Sequence, residues 1–289
     1  MSVYIRQNSS DQSYTKNTWC ILNPIEQSIK EKIERIGTPL KDWDINIFRG
    51  VLTGLNEAFI IDGAKKDELI AKDPKSVEII RPILRGRDIK RYSYDFADKW
   101  LINTHNGSKT QNRVDVNNYP AIKEHLDNFW EKLVKRDDQG DTPYNLRCCA
   151  YMDDFSKQKI MFQEMVQSPQ FYLDNDKNFV CLDTGRIITG NKLEYLISIL
   201  NSNLFFFAVK LYYGGGALGE KGVRMKHTFF QEFPCYIPTD KEESEIKTII
   251  ESMVSDNIDD IAKKLNDKVY KIYNLSSAEI CYIENALYA

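Results

Sequence analysis

The fold is decided by the stretch FRGVLTGLNEAFIID at residues 48–62 and by IIRPILRGRDIKRY at residues 79–92. Apolar runs at 51–52 and 58–61 predict two short strands in the first segment. The two glycines of that segment flank the turn between the strands, where a residue without a Cβ lets the backbone bend or approach another chain. We therefore expect a strand–turn–strand unit that leads into the second segment.

The second segment is the most basic part of the chain. Five arginines and lysines fall between residues 81 and 91, and only Asp88 opposes them there. Three apolar residues are expected to anchor the segment in a core: Ile83, Leu84 and Ile89. A rigid set of guanidinium groups suits an anionic backbone. The alternative is a solvated face whose charges pair with Asp88 or Asp95, because surface charge runs commonly have that role.

Together the two segments resemble the TaqI-type specificity domain, which lies C-terminal to the methyltransferase in adenine-specific DNA methyltransferases and type IIG restriction–modification enzymes. Weaker matches follow in the family's order at residues 119–126, 145–160 and 199–202, and the resemblance covers residues 19–285. It implies sequence-specific recognition of duplex DNA, either as a fragment of a type II restriction enzyme or as a separate specificity subunit. The fold that we expect is α+β, a mixed-sheet DNA target-recognition domain with peripheral helices and a helical C-terminal tail.

Two kinds of DNA contact are expected. Phosphate contacts, which carry affinity without sequence information, are predicted for Arg49, Arg81, Arg85, Arg87, Lys90, Arg91, Lys221 and Lys226. Arg can bind guanine bidentately and Asn can bind adenine, so the base-reading candidates are Arg136, Asn145, Arg147 and Arg224. Accidental exposure of their loops is the alternative. The glycine-rich loop at 214–226 is either a flexible connection or a close approach of backbone to phosphate.

The net charge of −3 is unevenly distributed. Residues 239–289 hold eleven acids and six lysines, a net charge of −5, which leaves the other 238 residues at +2. A nearly neutral body with concentrated basic clusters is compatible with a specific DNA-binding module. It does not indicate strong nonspecific affinity for nucleic acid.

No catalytic motif is recognisable in the sequence. An amino-methyltransferase of this kind needs Asp or Asn followed by Pro-Pro and an aromatic residue, and the nearest match, Asn23-Pro24-Ile25-Glu26, lacks the second proline and the aromatic. We expect no catalytic residue, no metal site and no cofactor in this chain, so that it is not an enzyme by itself. S-adenosylmethionine and Mg²⁺ would belong to missing or partner domains. The expected partners are double-stranded DNA and a DNA methyltransferase or endonuclease domain or subunit.

Two alternative functions stay open. Asp73-Pro74-Lys75 and Asp88-Ile89-Lys90 fit the minimal acid-x-Lys pattern of a metal-dependent DNA endonuclease, although such matches also arise by chance. The other alternative is a protein-interaction module that acts through the helical tail, where apolar residues recur every three or four positions from Ile246 to Ile272.

Chain order suggests three parts: a flexible lead-in at 1–16, a DNA target-recognition domain at 17–238 and a helical tail at 239–289. The predicted elements are a helix at 24–36, a strand at 99–103, one helix at 120–136 with Trp130 inward, a strand at 158–162, a hairpin at 171–182, and helices at 191–200 and 204–211. The tail is predicted to be one helix, or a pair broken near 255–257. Ser276 and Glu279 form a capping box for a last helix.

The cysteines and the hydropathy indicate a cytoplasmic protein. Six cysteines without a Cys-x-x-Cys pair, and only three histidines, argue against a zinc site and predict reduced thiols. A vicinal disulfide between Cys148 and Cys149 is the alternative. No apolar run approaches the ~18 residues that a membrane span requires, and no signal-peptide pattern is present.

Overall fold

The computed structural model describes residues 22–214, 217–218, 222–254 and 257–288. The expected lead-in at 1–16 and the candidate phosphate contact Lys221 lie outside these residues. The chain divides into two compact units that alternate along the sequence. The helical unit comprises the described residues of Met1–Asp44, Met165–Pro169 and Glu194–Ala289, and the sheet unit comprises Ile45–Glu164 and Gln170–Leu193. The division into three consecutive parts stays a prediction.

Both units contain helices and strands. The helices are α1 (Pro24–Ile36), α2 (Asn56–Phe59), α3 (Gly63–Lys72), α4 (Pro120–Asp127), α5 (Trp130–Leu133), α6 (Leu193–Leu200), α7 (Asn203–Ala208), α8 (His227–Phe230), α9 (Asp240–Glu251), α10 (Ile258–Ile272) and α11 (Ser277–Tyr288). The strands are β1 (Thr38–Pro39), β2 (Ile45–Arg49), β3 (Ile60–Asp62), β4 (Ile80–Leu84), β5 (Lys99–Ile102), β6 (Lys159–Gln163), β7 (Met165–Val166), β8 (Phe171–Asp174), β9 (Val180–Cys181), β10 (Gly185–Gly190), β11 (Ala217–Leu218), β12 (Gly222–Arg224) and β13 (Pro234–Cys235). The predicted α+β class is confirmed.

An antiparallel four-stranded sheet with the order β2-β10-β6-β8 forms the centre of the sheet unit. Ile187 of β10 lies opposite Phe48 of β2 on one side and Met161 of β6 on the other. Ile187 and Met161 are fully buried, so this sheet carries much of the core. The predicted strand at 158–162 is confirmed as β6, whereas β10 is absent from the predicted elements.

A second sheet of the same unit has the order β3-β5-β4-β9 and is mixed, because β4 pairs antiparallel with β5 and parallel with β9. The two strands predicted in the opening segment are found close to their expected positions as β2 and β3, but they do not form a unit with each other, since β2 pairs with β10, β3 pairs with β5, and α2 lies between them. The Thr53 hydroxyl accepts from the Leu55 amide at 3.2 Å and donates to Asn56 Oδ1 at 2.6 Å. These local bonds accompany the turn of the chain into α2, at the place where the turn between two strands was expected.

The strands predicted at 171–173 and 179–182 are confirmed as β8 and β9, but they do not pair with each other as a hairpin. Strand β8 pairs with β6, while β9 pairs in parallel with β4. The buried Asp174 carboxylate accepts hydrogen bonds from the Phe179 amide at 3.0 Å and from Lys159 Nζ at 2.6 Å. A charged side chain therefore closes this turn in place of a backbone ladder.

The predicted single helix at 120–136 is interrupted between α4 and α5. Leu126 and Leu133 are buried as expected, but Trp130 is 43% exposed and does not point into the core. The break at residues 128–129 shifts the inward face of the following turn. The expected inward position of Trp130 is corrected accordingly.

The helical unit contains the predicted first helix and the predicted tail. Helix α1 begins at a capping box in which Asn23 Oδ1 accepts from the Glu26 amide at 3.0 Å and the Glu26 carboxylate accepts from the Asn23 amide at 2.8 Å. The tail is a pair of helices, α9 and α10, and its apolar stripe is buried inside the unit, for instance at Ile246, Ile261 and Leu265. The buried part of the stripe is therefore core, not a free docking face.

The length and hydropathy of the described helices bear on whether they could cross a membrane. None of them is alone long and apolar enough to do so, although α6 and Asn203–Tyr213 together, bent by 59°, meet the length and composition of a broken span.

Candidate nucleic-acid interface

The basic segment is held by a tight turn at Gly86–Asp88 in the sheet unit. Arg85 donates from its amide, Nε and Nη2 to the Asp88 carboxylate at 2.9, 2.8 and 2.7 Å. Burial alone would raise the pKa of Asp88, but the hydrogen bonds from Arg85 outweigh it and hold that pKa below its usual range. The Arg85 guanidinium thus uses its Nε and Nη2 donors to stabilise the turn.

Two cations of the segment project from this turn. Arg87 is exposed, and its guanidinium makes no hydrogen bond or ion pair within the described ranges. Lys90 Nζ donates to the Arg87 carbonyl at 2.9 Å and lies 3.5 Å from the Asp95 carboxylate. Both are presented by a backbone that the Arg85–Asp88 pair fixes.

The guanidinium groups of Arg81 and Arg91 make more contacts within the fold. Arg81 donates to Ser156 Oγ at 3.4 Å and to the carbonyls of Lys177 and Asn178 at 3.3 and 3.4 Å. Burial lowers the pKa of Arg81, and the Asp174 carboxylate opposes that shift. The guanidinium of Arg91 lies 5.9 Å from the Tyr92 ring, and its Nε is buried. The segment therefore divides into exposed and structural cations.

The remaining phosphate candidates lie elsewhere. Arg49 ends β2, is half exposed and lies 3.4 Å from the Asp183 carboxylate. Lys226 is exposed and belongs to the helical unit, as does the exposed base-reading candidate Arg224, and both have partners of their own. The structure brings Arg49 and the basic segment into one unit.

Two base-reading candidates are buried. The Arg136 guanidinium donates to the carbonyls of Thr53, Asp138, Pro143 and Asn145. It also lies 4.6 Å from the Phe59 ring, and burial lowers the pKa of Arg136 to about 10, against the effect of Asp138. The expectation that Arg136 is exposed in a loop is therefore corrected, because its donors bind backbone carbonyls of three chain segments.

Asn145 is likewise an anchor inside the fold. Its Nδ2 donates to the carbonyls of Val114 and Thr104 at 2.9 and 3.3 Å, and its Oδ1 accepts from Thr142 Oγ1 at 2.6 Å. The amide that would bind adenine is occupied. The expected exposure of Asn145 is corrected for that reason.

Arg147 lies beside a polar cleft of about 220 Å³. The cleft is lined by residues 51–56 and by Asp138 and Asp183. Arg147 is exposed, and its Nη1 donates to Asp138 Oδ1 at 2.7 Å. Sequence reasoning missed both acids, and the only signal available was the position of Asp138 in the charged run that follows α5.

Glycines allow the close approaches at this cleft. A Cβ on Gly50 would lie 1.9 Å from the Leu182 carbonyl oxygen, and Gly54 has a φ of +66° with its Cβ position 2.9 Å from Asp138 Cβ. Only glycine fits both constraints without displacement of backbone or neighbour. The glycines of the opening motif therefore serve contact with the 138 and 182 loops.

The acids of the two acid-x-Lys patterns accept hydrogen bonds from backbone amides. Asp73 accepts from the Lys75 amide at 3.2 Å and caps the short helix that follows, and Asp88 binds Arg85. Within the described ranges, no group of three or more His, Cys, Asp or Glu residues is placed to hold a metal ion. The geometry of these two acids is that of helix caps.

A family model described as the TaqI-like C-terminal specificity domain matches residues 81–235, so the resemblance expected from the sequence is confirmed. The fold is similar to the structure of the type IIL restriction-modification enzyme MmeI in complex with DNA, with a TM-score of 0.63, 12% identity, and coverage of 86% of this chain and 36% of that one.

A second solved structure, the type IIG restriction endonuclease BpuSI, gives a TM-score of 0.54 with 14% identity over 90% of this chain and 32% of that chain. The chain therefore spans about a third of the length of either protein. No curated protein sequence matches it. At these identities the structural likeness concerns the α+β fold.

Proposed function

The chain belongs to the family of TaqI-like C-terminal specificity domains, and we propose on that premise that it recognises a specific sequence in duplex DNA. The recognition serves the methyltransferase or endonuclease of a restriction–modification system. The chain acts as the specificity part of such an enzyme, either as a fragment of it or as a separate subunit. The similarity in fold to a restriction-modification enzyme and to a restriction endonuclease supports this assignment.

The observation that carries the proposal is the turn at Gly86–Asp88. Its backbone is fixed by the buried Asp88 carboxylate, so Arg87 and Lys90 are presented as cations from a rigid base. Rigid presentation lowers the entropy that each contact costs. These two residues are therefore the proposed phosphate contacts of the turn, with Arg49 as a third on the same unit. Phosphate contacts of this kind fix register and leave sequence reading to other residues.

The test is DNA binding by the full chain as a function of salt. Wild type selects its motif from a randomised duplex library, and anisotropy then measures affinity for that motif and for an unrelated duplex. Replacing Arg87 and Lys90 with Ala should weaken both. The slope of log affinity against log salt should fall by roughly two, about one for each phosphate that the variant no longer binds.

The matched control removes the same charge from the exposed residues Lys263 and Lys264 of α10. It should leave both affinities and the salt slope unchanged. The proposal fails if the Arg87 and Lys90 variant retains the wild-type slope on both duplexes.

We place the catalytic chemistry outside this chain. S-adenosylmethionine and Mg²⁺ belong to the missing or partner domain in this proposal, in keeping with the two candidate acids that serve as caps. Incubation with labelled S-adenosylmethionine and duplex DNA should give no methyl transfer by the chain alone, and transfer would overturn this part. We place the protein in the cytoplasm, in keeping with the five cysteines of the described residues, which are all free thiols, Cys148 and Cys149 among them.

A further inference from the structure

We propose that the Arg147–Asp138 pair reads one G·C base pair in the major groove, and that Arg136 is the residue that positions it. This inference rests on the proposed function, because it names the base pair that one part of the DNA-binding surface recognises. It starts from the cleft between residues 51–56 and the two acids Asp138 and Asp183.

The pair leaves hydrogen-bonding groups available on both partners. Arg147 is 58% exposed and Asp138 is 29% exposed, and a single bond of 2.7 Å joins Nη1 to Oδ1. Within the described part of the chain, Nε and Nη2 of Arg147 and Oδ2 of Asp138 make no hydrogen bond. Nε and Nη2 are two parallel donors, and Oδ2 is an acceptor beside them.

This set of groups matches one base pair better than the other. Guanine presents two acceptors, N7 and O6, in the major groove, and its cytosine presents the N4 amino donor beside them. A guanidinium edge can bind the two acceptors while the neighbouring carboxylate accepts from N4. An A·T pair offers one acceptor and one donor on adenine, so the parallel donors of Arg147 fit it less well.

The paired acid also argues against a phosphate as the ligand of Arg147. Asp138 offsets the charge of Arg147, whereas the other acid of the cleft, Asp183, is offset by Arg49. A phosphate placed at Arg147 would be repelled by Asp138. A base edge has no net charge and can donate a hydrogen bond to Asp138, so it suits this pair better than a phosphate does.

Arg136 determines where this pair lies. Its Nη1 donates to the carbonyls of Asp138 and Thr53, and its Nη2 donates to those of Pro143 and Asn145. One buried guanidinium thus joins Thr53 of the cleft wall, Asp138 itself, and the segment 143–145 that leads to Arg147. Arg136 reaches no solvent-exposed position itself, so it acts through the pair as a positioning residue.

The experiment compares the sequences that variants of the full chain select from a randomised duplex library. Wild type should select a motif that contains a G·C pair at the position read by Arg147. Arg147→Gln should lose that preference or shift it toward A·T, since Gln can pair with adenine. Its affinity for the wild-type motif should fall roughly 5- to 150-fold at an unchanged salt slope.

The matched control is Arg113→Gln. Arg113 is also an exposed arginine beside an aspartate, 3.3 Å from Asp141, but neither residue lines the cleft. This variant should select the wild-type motif. If Arg147→Gln selects the wild-type motif at every position, the pair is only a surface ion pair and the inference is wrong, while the proposed function stands. If wild type selects no motif, the proposed function and the inference both fail.

Two variants test positioning. Arg136→Lys keeps the charge but cannot bind four carbonyls, and Gly54→Ala places a Cβ 2.9 Å from Asp138 Cβ. Each should relax the preference at the same base pair and leave the rest of the motif and the salt slope unchanged. A purely structural role would lower the melting temperature without changing base preference. That result, or failure of Arg136→Lys to fold, would overturn the positioning role.

Discussion

Replacing Glu279 with Gln should remove about 3 kcal/mol from the stability of the helical unit at neutral pH. The carboxylate is 5% exposed and accepts hydrogen bonds from Lys32 Nζ at 2.6 Å, from the Ser276 amide at 2.6 Å and from Ser28 Oγ at 2.7 Å. It therefore joins the start of α11 to α1. A neutral amide of the same shape would lose the charge-assisted bonds and keep the packing.

The magnitude follows from the pKa of Glu279. Burial opposes ionisation of this group, but the hydrogen bonds from Lys32, Ser276 and Ser28 lower the pKa from its usual 4.5 to about 2. Each pH unit between the folded and unfolded values corresponds to about 1.4 kcal/mol. Because the folded value is the lower one, this stability is present above pH 4.5 and is lost as the pH falls toward 2.

The assay is urea unfolding of wild type and Glu279→Gln between pH 7 and pH 2. The difference between the two proteins should be constant above about pH 5 and should close as the pH approaches 2. Glu232→Gln is the control, because Glu232 forms an exposed ion pair with Lys41, and such pairs contribute about 0–1 kcal/mol. A pH-independent difference, or one no larger than that of the control, would refute the reasoning.

Two further stability predictions concern the cores. Asp174→Ala should lower the free energy of unfolding in urea by about 3–5 kcal/mol, because it leaves the fully buried Lys159 ammonium without its carboxylate partner. The double variant Lys159→Met with Asp174→Leu should lower it much less. An equal loss in both would contradict that account. Ile261→Ala should cost about 2–5 kcal/mol in the same measurement, whereas Ile237→Ala, at a position that is 51% exposed, should cost little. Equal effects of the two would contradict the burial of the tail stripe.

The elements that the sequence predicted well are those whose signals lie within a few residues. The helix at α1 carries its cap at Asn23 and Glu26, and the last helix carries its own at Ser276 and Glu279. A capping box is closed by residues three positions apart, so chain order alone identifies it. The three-to-four spacing in the tail is equally local, and it predicted α9 and α10.

Strand pairing could not be predicted in the same way. The expected hairpins assume that neighbours in sequence pair, but β2 pairs with β10 and β4 pairs with β9 across about a hundred residues or more. A side chain lies at each place where the expected pairing is absent. Thr53 binds residues at the start of α2, and Asp174 closes the turn between β8 and β9. Asp174 binds Lys159, which the tertiary fold brings to it, whereas the Thr53 hydroxyl binds the neighbouring Leu55 and Asn56 and gives no sign of the strands with which β2 and β3 pair.

The sequence also could not tell which cations of the basic run are structural and which are exposed. Arg81 and Arg87 stand six positions apart in one basic run, yet Arg81 binds carbonyls at Lys177 and Asn178 while Arg87 is exposed. The difference comes from a turn almost a hundred residues later in the chain. A basic run therefore predicts a charged surface, and only the packing around it tells which of its members can meet a ligand.

Arg136 and Arg147 at the cleft differ in the same way. Both were expected to read bases because an arginine fork suits guanine, and the same fork suits backbone carbonyls equally well. Burial distinguishes them: a guanidinium without water must use its donors within the fold, and Arg136 does so on three chain segments. The fixed loop then holds Asp138 beside Arg147, whose Nε and Nη2 make no hydrogen bond to the residues that the structure describes. In the proposal made above the two arginines have separate roles: Arg136 builds the loop, and Arg147 reads the base pair from it.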